Sequence, residues 1–422
     1  MFRMRSPGLH STMNNPNDYL VGLDIGSHKV LCVVAVPSPK EAGKYRICGY
    51  SYRDSLGVRK GIVTDLNAAV DDVKAAVREA RSSGNLPELT NAWVAIGGST
   101  LTSENCIGTA IVRGNEVKPA DMEAADINAR EHGRRQGKQL IKMIPQGYTC
   151  GDTHTFTPVG LMGDKLTAYY HCVYASVKNA ENMKRSLLRS GIDLAGYEPH
   201  PIAAALSVTQ EADHYVGALV IDMGAETTSM TLVYEHQTLL TLVRPFGSEF
   251  FTRDLSAIFG LTLAQAEEVK IRFGSCSPAG VLPGESVRPS IEEGRGSPLC
   301  SRSLIVQTLQ ERARELFRIY RDIVEKAGCL DKVNVVVITG GGANLRAIDE
   351  VARSVFGVPV RIGVPLCFDE RNALAMRPNA SVAAGLIMAA DKSRAAGDEG
   401  RIRTPSLGSL KGRLKTVFLG AY

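Results

Sequence analysis

The chain of 422 residues is too long for one compact core, so at least two domains are expected. A hydrophobic content of 44%, a charged content of 22% and a net charge of +5 fit a soluble globular protein and do not indicate a nucleic-acid partner. The nine cysteines are scattered and never spaced Cys-x-x-Cys, which favours reduced thiols over a disulfide framework or a zinc site. Residues 1–18 lack the apolar segment of a secretory signal and are predicted to be a disordered arm, and no stretch is long and apolar enough to cross a bilayer.

Residues 20–36 are predicted to form two strands joined by a tight turn. An apolar run leads to Asp24, Gly26 and Ser27 occupy the turn, and a second apolar run follows. Such a turn can present backbone N–H groups to phosphate oxygens while the carboxylate orders the water shell of a metal ion. An ordinary hairpin with an acidic turn is the alternative, and it is favoured for this motif taken alone.

The segment that follows reads as part of an α/β domain. A strand is expected over 44–52, an amphipathic helix over 64–84 capped by Thr64 or Asp65, and a buried strand over 93–96. Strands followed by a helix are typical of one half of a large α/β protein.

Residues 99–169 have a different pattern and are predicted to form a compact insert. We expect a hairpin-like run over 105–112, a helix beginning near Pro119, an extended piece over 140–148 and a strand over 167–176. The insert is either a structural embellishment or an interaction module, since inserts on a rigid scaffold commonly carry partner contacts.

A helix over 179–191 is expected to turn Met183, Leu187 and Leu188 inward. A second helix, rich in alanine, follows in the segment 198–208 and would pack closely between the two halves of the protein. Glu198 just before it has two interpretations. It is either a favourable charge near a helix N-terminus or a carboxylate that orients an attacking water.

Residues 218–233 repeat the pattern of the first hairpin. Asp222 ends an apolar strand, Gly224 opens a turn containing Thr227 and Thr228, and another apolar strand follows. A self-similar pair this far apart predicts two related halves that share one ligand.

Further elements follow in the second half. Strand 238–243 and a helix after Gly247 lead to a helix over 262–274 with Thr262 as its N-cap. Glu267 and Lys270 share one face of that helix, where they form either a surface ion pair or a pair that meets a ribose. A long loop or irregular hairpin over 275–303 and a long helix over 303–328 complete this part.

A buried strand over 333–339 runs into a glycine triplet and then a helix. The segment Gly340, Gly341, Gly342 would let a flat ligand lie directly on the backbone, close to Asn344. Together with the two Asp hairpins this segment favours phosphate binding over ordinary hairpins. A strand over 358–363 and a small-residue helix over 379–391 follow.

The C-terminal segment is predicted to be a charged linker over 391–404 and then a basic amphipathic helix. Such a helix behind a tether indicates a membrane-surface anchor, with docking on the protein body as the alternative. The apolar face comprises Leu407, Leu410, Leu414, Val417 and Phe418, and Lys411, Arg413 and Lys415 lie across or beside it.

These motifs together resemble the bacterial FtsA family of actin-like cell-division proteins over nearly the whole chain. The matching pieces are LDIGSHKV, VIDMGAETT and ITGGGANL for the three loops, EPHPIAAAL and SVAAGLIMAA for the connecting helices, and AEEVK for the adenine-side helix. The resemblance implies an α/β, actin-like two-lobed fold of duplicated ribonuclease H-like domains, with a small α+β insert and a C-terminal amphipathic helix. The implied divisions are 19–97 with 176–214, the insert 98–175, 215–250 with 329–390, a subdomain over 251–328, a linker over 391–405 and the membrane helix over 406–422.

The resemblance also implies an ATP and magnesium site between the lobes. Asp24 and Asp222 would hold magnesium through waters, Glu198 would match the position of a catalytic acid, and Glu267 and Lys270 would meet adenine and ribose. The phosphate-facing residues would be Asp24, Gly26, Ser27, Lys29, Asp222, Gly224, Thr227 and Thr228, and the adenosine-facing residues Gly340, Gly341, Gly342 and Asn344.

The implied function is a nucleotide-dependent adaptor, at most a weak ATPase, at the division septum on the cytoplasmic side of the inner membrane. It would bind the C-terminal tail of FtsZ near Arg312 and Glu315, anchor the Z ring to anionic lipids, form filaments through the insert and contact other division proteins. The alternatives are a sugar or acetate kinase and a pilus-assembly or chaperone-type ATPase, which share the loops.

Overall fold

The computed structural model describes residues 18–290, 298–369, 374 and 376–395. The chain forms two lobes, here called lobe 1 and lobe 2, and an insert within lobe 1. Lobe 1 begins with β1 (Leu20–Ile25), β2 (Lys29–Pro37), β3 (Tyr45–Asp54), β4 (Val58–Arg59), β5 (Ile62–Val63), α1 (Leu66–Gly84) and β6 (Asn91–Ile96). The insert contains β7 (Thr102–Ile111), α2 (Pro119–His132), β8 (Lys138–Cys150), β9 (Thr153–Thr155) and β10 (Lys165–Ser176).

Lobe 1 then continues with α3 (Val177–Ser190), β11 (Asp193–Pro199), α4 (His200–Val208) and α5 (Glu211–Val216). Lobe 2 contains β12 (Ala218–Met223), β13 (Thr228–Tyr234), β14 (Gln237–Arg244), α6 (Glu249–Phe259), α7 (Leu263–Phe273), β15 (Ser286–Val287), β16 (Cys300–Ser301), α8 (Arg302–Lys326), β17 (Val335–Thr339), α9 (Ile348–Phe356) and β18 (Val360–Ile362). Helix α10 (Ser381–Ala395) returns to the sheet of lobe 1.

The two lobes contain five-stranded sheets of the same topology. The strand order is β3-β2-β1-β6-β11 in lobe 1 and β14-β13-β12-β17-β18 in lobe 2. In both sheets the first three strands are antiparallel and the last two are parallel to the central one. The duplication predicted from the two Asp hairpins is therefore present in the fold.

The two Asp hairpins also match residue by residue. Asp24 stands opposite Leu31 and Asp222 stands opposite Ser229, seven positions along the chain in each case. The turn is closed by Gly26 N donating to the carbonyl of residue 29 at 2.8 Å, and by Gly224 N donating to that of residue 227 at 2.9 Å. The same spacing of Asp and Gly gives the same turn because the backbone hydrogen bond is local.

The insert has its own sheet and core. Strands β7-β10-β8-β9 form an antiparallel sheet, and α2 covers one face over a core that includes Ala125, Ala129 and Tyr170. The predicted hairpin-like run over 105–112 is wrong, because residues 105–111 lie in one strand whose partner is the distant strand β10. A sequence pattern gives the period of a strand but not its partner.

Helices α4 and α10 pack closely between the lobes, as their small residues predict. A Cβ on Gly385 would lie 1.8 Å from the carbonyl oxygen of Ala203, so no larger residue fits there. The Ser207 hydroxyl donates to the carbonyl of Ser381 at 2.7 Å and ties the two helices together.

Local signals also set helix ends. Asp65 caps α1 by accepting from two backbone N–H groups, and Thr262 caps α7 as predicted. The inward orientation predicted for Leu188 is wrong, since this residue is 64% exposed and Met183 and Leu187 already fill the contact of α3 with the core. Helix α10 extends to Ala395, into the predicted linker.

The predicted membrane helix lies outside the described residues. Its candidate contacts are Leu407, Leu410, Lys411, Arg413, Leu414, Lys415, Val417 and Phe418. Within the described part of the chain, no helix combines the length and apolarity needed to span a bilayer.

Candidate functional site

The structure brings the two Asp hairpins together at the cleft between the lobes. Asp24 stands near the end of β1 at 3% exposure and Asp222 stands near the end of β12 at 4% exposure. Burial opposes ionisation of Asp24, but the positive charges of Lys29 and His200 bring its pKa below the ordinary value. Burial raises the pKa of Asp222, His200 acts in the opposite direction, and the charge of Asp24 raises it further.

Lys29 and His200 are the basic side chains at these carboxylates. Lys29 Nζ lies 2.5 Å from Asp24 Oδ2. His200 Nε2 lies 3.7 Å from Asp24 Oδ1, and its Nδ1 lies 3.4 Å from Asp222 Oδ2. His200 is absent from the predicted site residues, although its position at the start of the helix after Glu198 is visible in the sequence.

Ser27 and Glu226 fasten the two turns to a neighbouring hairpin, formed by β4 and β5. Ser27 Oγ accepts from Gly61 N at 3.0 Å, and Glu226 Oε2 accepts from the backbone N–H of Lys60. Because Glu226 belongs to lobe 2 and Lys60 to lobe 1, the second contact joins the lobes beside the cleft. This role of Glu226 was not predicted, since it depends on a contact between distant parts of the chain.

The two predicted threonines differ in their surroundings. Thr227 is half-buried in the turn, and its carbonyl accepts the hydrogen bond that closes the turn. Thr228 is fully buried, and its hydroxyl donates to the carbonyl of Phe246 at 2.6 Å. Of the two, only Thr227 has a side chain with access to a ligand in the cleft.

The glycine segment lies directly against the second Asp hairpin. A Cβ on Gly340 would lie 2.1 Å from Asp222 Oδ1, and a Cβ on Gly342 would lie 2.8 Å from the Cβ of Met223. Gly341 between them is exposed, with no atom within 4 Å of its Cβ position. Asn344 is exposed too, and its side-chain amide donates to the carbonyl of Gly341 at 3.0 Å.

This arrangement leaves one open glycine surface beside the acidic hairpin, as the flat-ligand prediction requires. The element that follows differs from the prediction. Residues Gly341–Asn344 form a 3-10 turn, and α9 begins only at Ile348.

Glu267 and Lys270 form a partly buried ion pair on α7. Lys270 Nζ lies 2.6 Å from Glu267 Oε2, and Thr252 bonds to both side chains. Burial raises the pKa of Glu267, but Lys270 and these hydrogen bonds bring it below the ordinary value. His28 of lobe 1 also contributes to lowering that pKa, so the first hairpin lies within electrostatic reach of the pair.

Glu198 is buried on β11, at 1% exposure, and contacts the insert. Its Oε2 accepts from Lys142 Nζ at 2.9 Å, while its Oε1 has no hydrogen-bond partner among the described residues. Glu198 lies at the end of β11, two residues before α4 begins at His200, and both interpretations of it stay predictions. The space between the two aspartates is taken by His200.

Arg312 and Glu315 lie together on α8, away from the Asp hairpins in the chain. Arg312 binds Asp254 through two hydrogen bonds of 2.6 and 2.8 Å and also contacts Glu315. Glu315 is mostly exposed, and the guanidinium of Arg312 lies 5.6 Å from the ring centroid of Phe250.

The two aspartates fit a hydrated magnesium ion. Asp24 Oδ1 and Asp222 Oδ2 are buried and lack hydrogen-bond partners among the described residues. The described residues include no group of three or more His, Cys, Asp or Glu side chains arranged to hold a metal. A magnesium ion that keeps several waters and binds phosphate oxygens needs only one or two carboxylates from the protein.

Two family models match the chain. The model described as cell division protein FtsA matches residues 219–385, and the model described as the SHS2 domain inserted in FtsA matches residues 98–174. The chain is also 27% identical over 372 residues to cell division protein FtsA of Pseudomonas aeruginosa, covering 87% of this chain and 88% of that protein. With FtsA of Neisseria meningitidis it shares 28% identity over 407 residues, 95% of this chain and 96% of the relative.

Solved structures confirm the actin-like fold. The chain matches a structure of the PilM–PilN type IV pilus biogenesis complex with a TM-score of 0.64 at 19% identity, over 88% of this chain and 98% of the other. It matches MreB5 of Spiroplasma citri, crystallised with AMPPNP, with a TM-score of 0.53 at 15% identity, over 91% and 99% of the two chains. At these identities the likeness concerns the fold alone.

Proposed function

The chain belongs to the FtsA family of cell division proteins, and from that membership we propose that it is a nucleotide-binding adaptor that anchors FtsZ filaments to the cytoplasmic face of the inner membrane at the division septum. ATP and magnesium would bind between the lobes. ATP hydrolysis would be slow, because the adaptor depends on nucleotide binding and on the angle between the lobes, and not on forming a product.

One observation carries the nucleotide part of the proposal. Asp24 and Asp222, about two hundred residues apart in the chain, meet at one imidazole and both have a buried oxygen without a partner among the described residues. Beside them, Gly341 offers an open backbone surface. Buried carboxylates placed together are unfavourable without a cation, which supports a role in holding a metal and the phosphates bound to it.

The nucleotide site is tested by replacing Lys29, the cation closest to Asp24. We expect Lys29→Met to weaken binding of magnesium–ATP by about tenfold or more, because a charge-assisted contact to phosphate is lost. Lys332→Met is the matched control, since Lys332 pairs with Asp331 before β17, at the end of that strand away from Gly340. Binding of a fluorescent ATP analogue measures both, and equal affinities would contradict the site.

The FtsZ contact is proposed for the side of α8 that carries Arg312 and Glu315. Exposure of Glu315 and the stacking of Arg312 near Phe250 support a surface that can hold a peptide. Arg312→Gln should weaken binding of an FtsZ C-terminal peptide, while Arg321→Gln, which affects a pair with Glu325 on the same helix, should not. Fluorescence anisotropy of the labelled peptide measures this difference, and a shared loss would contradict the assignment.

The membrane contact is proposed for the segment after residue 405. In the predicted helix Leu414 lies on the apolar face and Ser409 on the opposite face. We expect Leu414→Glu to abolish co-sedimentation with anionic vesicles and Ser409→Glu, with the same added charge, to retain most of it. ATP binding should survive in both, and unchanged vesicle binding of Leu414→Glu would contradict the anchor.

Self-association is proposed for the insert. Strand β7 is at an edge of its sheet, and Ile107 and Ile111 are 53% and 81% exposed. Exposed apolar side chains on an edge strand favour contact with another chain. Ile111→Lys should reduce filament formation in sedimentation assays, whereas Leu188→Lys, an equally drastic change at an exposed leucine of α3, should leave it unchanged.

A further inference from the structure

The imidazole of His200 occupies the space between two buried carboxylates that face the same cleft. Its Nδ1 lies 3.4 Å from Asp222 Oδ2 and its Nε2 lies 3.7 Å from Asp24 Oδ1. These are the two oxygens that have no hydrogen-bond partner among the described residues. Lys29 is bound to the other oxygen of Asp24, so it leaves both of these oxygens to His200.

The electrostatics explain why a group is needed there. Each carboxylate is almost fully buried, and the charge of Asp24 disfavours ionisation of Asp222. Two carboxylates that share a site repel each other, and this repulsion would push the two hairpins, and with them the two lobes, apart. The imidazole of His200 presents one ring nitrogen towards each carboxylate and stands between the two negative charges.

The location of His200 would allow its side chain to move out of the space between the two carboxylates. It is the first residue of α4, and 25% of its side chain is exposed, in contrast to 4% and 5% for the two aspartates. A hydrated magnesium ion would present its waters as donors to the same two oxygens. The imidazole and the hydrated ion would therefore occupy the same space between the two carboxylates and exclude each other.

We propose that His200 is a positioning residue that holds the two hairpins together in the nucleotide-free protein and is displaced when magnesium enters with the nucleotide. This inference rests on the proposed nucleotide site. It means that the cleft of the nucleotide-free protein already has a substitute for the metal. Magnesium alone should then stabilise the wild-type protein only weakly, because binding it costs the contacts of His200.

The test measures thermal unfolding of the full-length protein at one fixed pH, with magnesium chloride titrated in the absence of nucleotide and sodium chloride matched in ionic strength. His200→Ala should unfold at a lower temperature than wild type without magnesium. Magnesium should protect the variant at a concentration about fivefold lower or less, the range of a typical coupling between two ligands. His236→Ala is the control, because His236 is a surface histidine that also faces an acid, Glu211.

A second titration with magnesium–ATP separates this inference from the nucleotide site itself. If neither wild type nor His200→Ala binds magnesium–ATP, the proposed function fails. If both bind it and their responses to magnesium alone are equal, the displacement by magnesium is wrong. A loss of ATP affinity with an unchanged magnesium response also overturns it, because His200 would then be a phosphate contact.

A second, more conservative variant keeps the test possible if His200→Ala does not fold. His200→Gln keeps a donor near the position of Nε2 and should fall between wild type and His200→Ala in its magnesium response. If His200→Ala does not fold, a His200→Gln response equal to that of wild type refutes the inference, and a stronger response supports it.

Discussion

A substitution of Gly340 tests whether the backbone of the glycine segment requires glycine at this position. Its backbone has φ +82° and ψ 179°, a conformation that is essentially restricted to glycine. A Cβ added there would lie 2.1 Å from Asp222 Oδ1 and 2.8 to 2.9 Å from backbone atoms of Met223. The substitution Gly340→Ala therefore meets strain in its own backbone and a clash with a buried carboxylate.

The magnitude follows from these two costs. Holding a residue other than glycine in such a backbone region costs about 1–3 kcal/mol. Forcing an extra carbon into a packed site costs about 1–3 kcal/mol more. A loss of about 2–6 kcal/mol corresponds to a fall in the unfolding temperature of lobe 2 on the order of 10 °C, since each kcal/mol shifts a unit of this size by about 2–4 °C.

Gly341→Ala is the matched control for the stability measurement. The two residues are adjacent, the substitution is identical, and a Cβ added at Gly341 would meet no atom within 4 Å. Circular dichroism of the nucleotide-free proteins should show the large fall for Gly340→Ala and almost none for Gly341→Ala. An unfolding temperature of Gly340→Ala within about 2 °C of wild type would refute the argument from backbone and clash.

Gly341→Ala, the control for stability, tests the position of the ligand when nucleotide is added. If the adenosine lies on Gly341, the added methyl group would occupy part of its place, and affinity for magnesium–ATP should fall about tenfold, or about 1.4 kcal/mol. A variant of normal stability with weakened binding would locate the ligand on this surface. Normal affinity of Gly341→Ala would move the ligand away from the glycine segment.

Three further predictions concern buried charged groups. Asp222→Asn should raise the stability of the nucleotide-free protein at neutral pH, because the raised pKa of Asp222 means that its ionised form is unfavourable. Asp24→Asn should lower the stability, because the pKa of Asp24 is lowered in the folded protein. The stability that ionised Asp24 contributes is lost as pH falls through its folded-state pKa. Lys142→Met should cost about 1–3 kcal/mol by leaving the buried Glu198 carboxylate unpaired, and adding Glu198→Gln should restore most of it in a double-mutant cycle. Burial lowers the pKa of His171 to about 4, so stability should fall by up to about 3 kcal/mol as pH decreases from about 6.5 to 4, and His171→Gln should flatten this part of the profile.

Urea unfolding measures all three. The same sign of change for Asp222→Asn and Asp24→Asn would contradict the opposite directions of their pKa shifts. Additive losses in the cycle of Lys142 and Glu198 would show that the pair does not interact. A profile for His171→Gln that still falls between about pH 6.5 and 4 would assign the loss to other groups.

The sequence predicted those features that depend on neighbours in the chain. The Asp-x-Gly spacing set both hairpin turns, because their closing hydrogen bonds span three residues. The alanines of α4 and the glycine of α10 predicted close helix packing, and the structure confirms it at Gly385. Repetition of one local pattern was enough to predict the duplicated lobes.

The features that were missed depend on contacts between distant residues. His200 meets carboxylates from two other strands, and Glu226 meets a hairpin of the opposite lobe. Lys142 reaches Glu198 from the insert. A sequence pattern shows which residue types are present but not which distant side chains share a space, so these partners could be found only in three dimensions.

The insert contacts both lobes, and its strand β8 reaches both of them. Lys142 of β8 binds Glu198 in lobe 1, and Gln146 of the same strand donates to the carbonyl of Thr238 in lobe 2 at 2.7 Å. Ser103 of β7 adds a second hydrogen bond to lobe 2. Since these contacts hold one rigid sheet to both lobes, a change in the angle between the lobes must either shift the insert or break one set of contacts. A nucleotide that closes the cleft would therefore alter the surface proposed for self-association, which connects the two halves of the proposed function through the sheet of the insert.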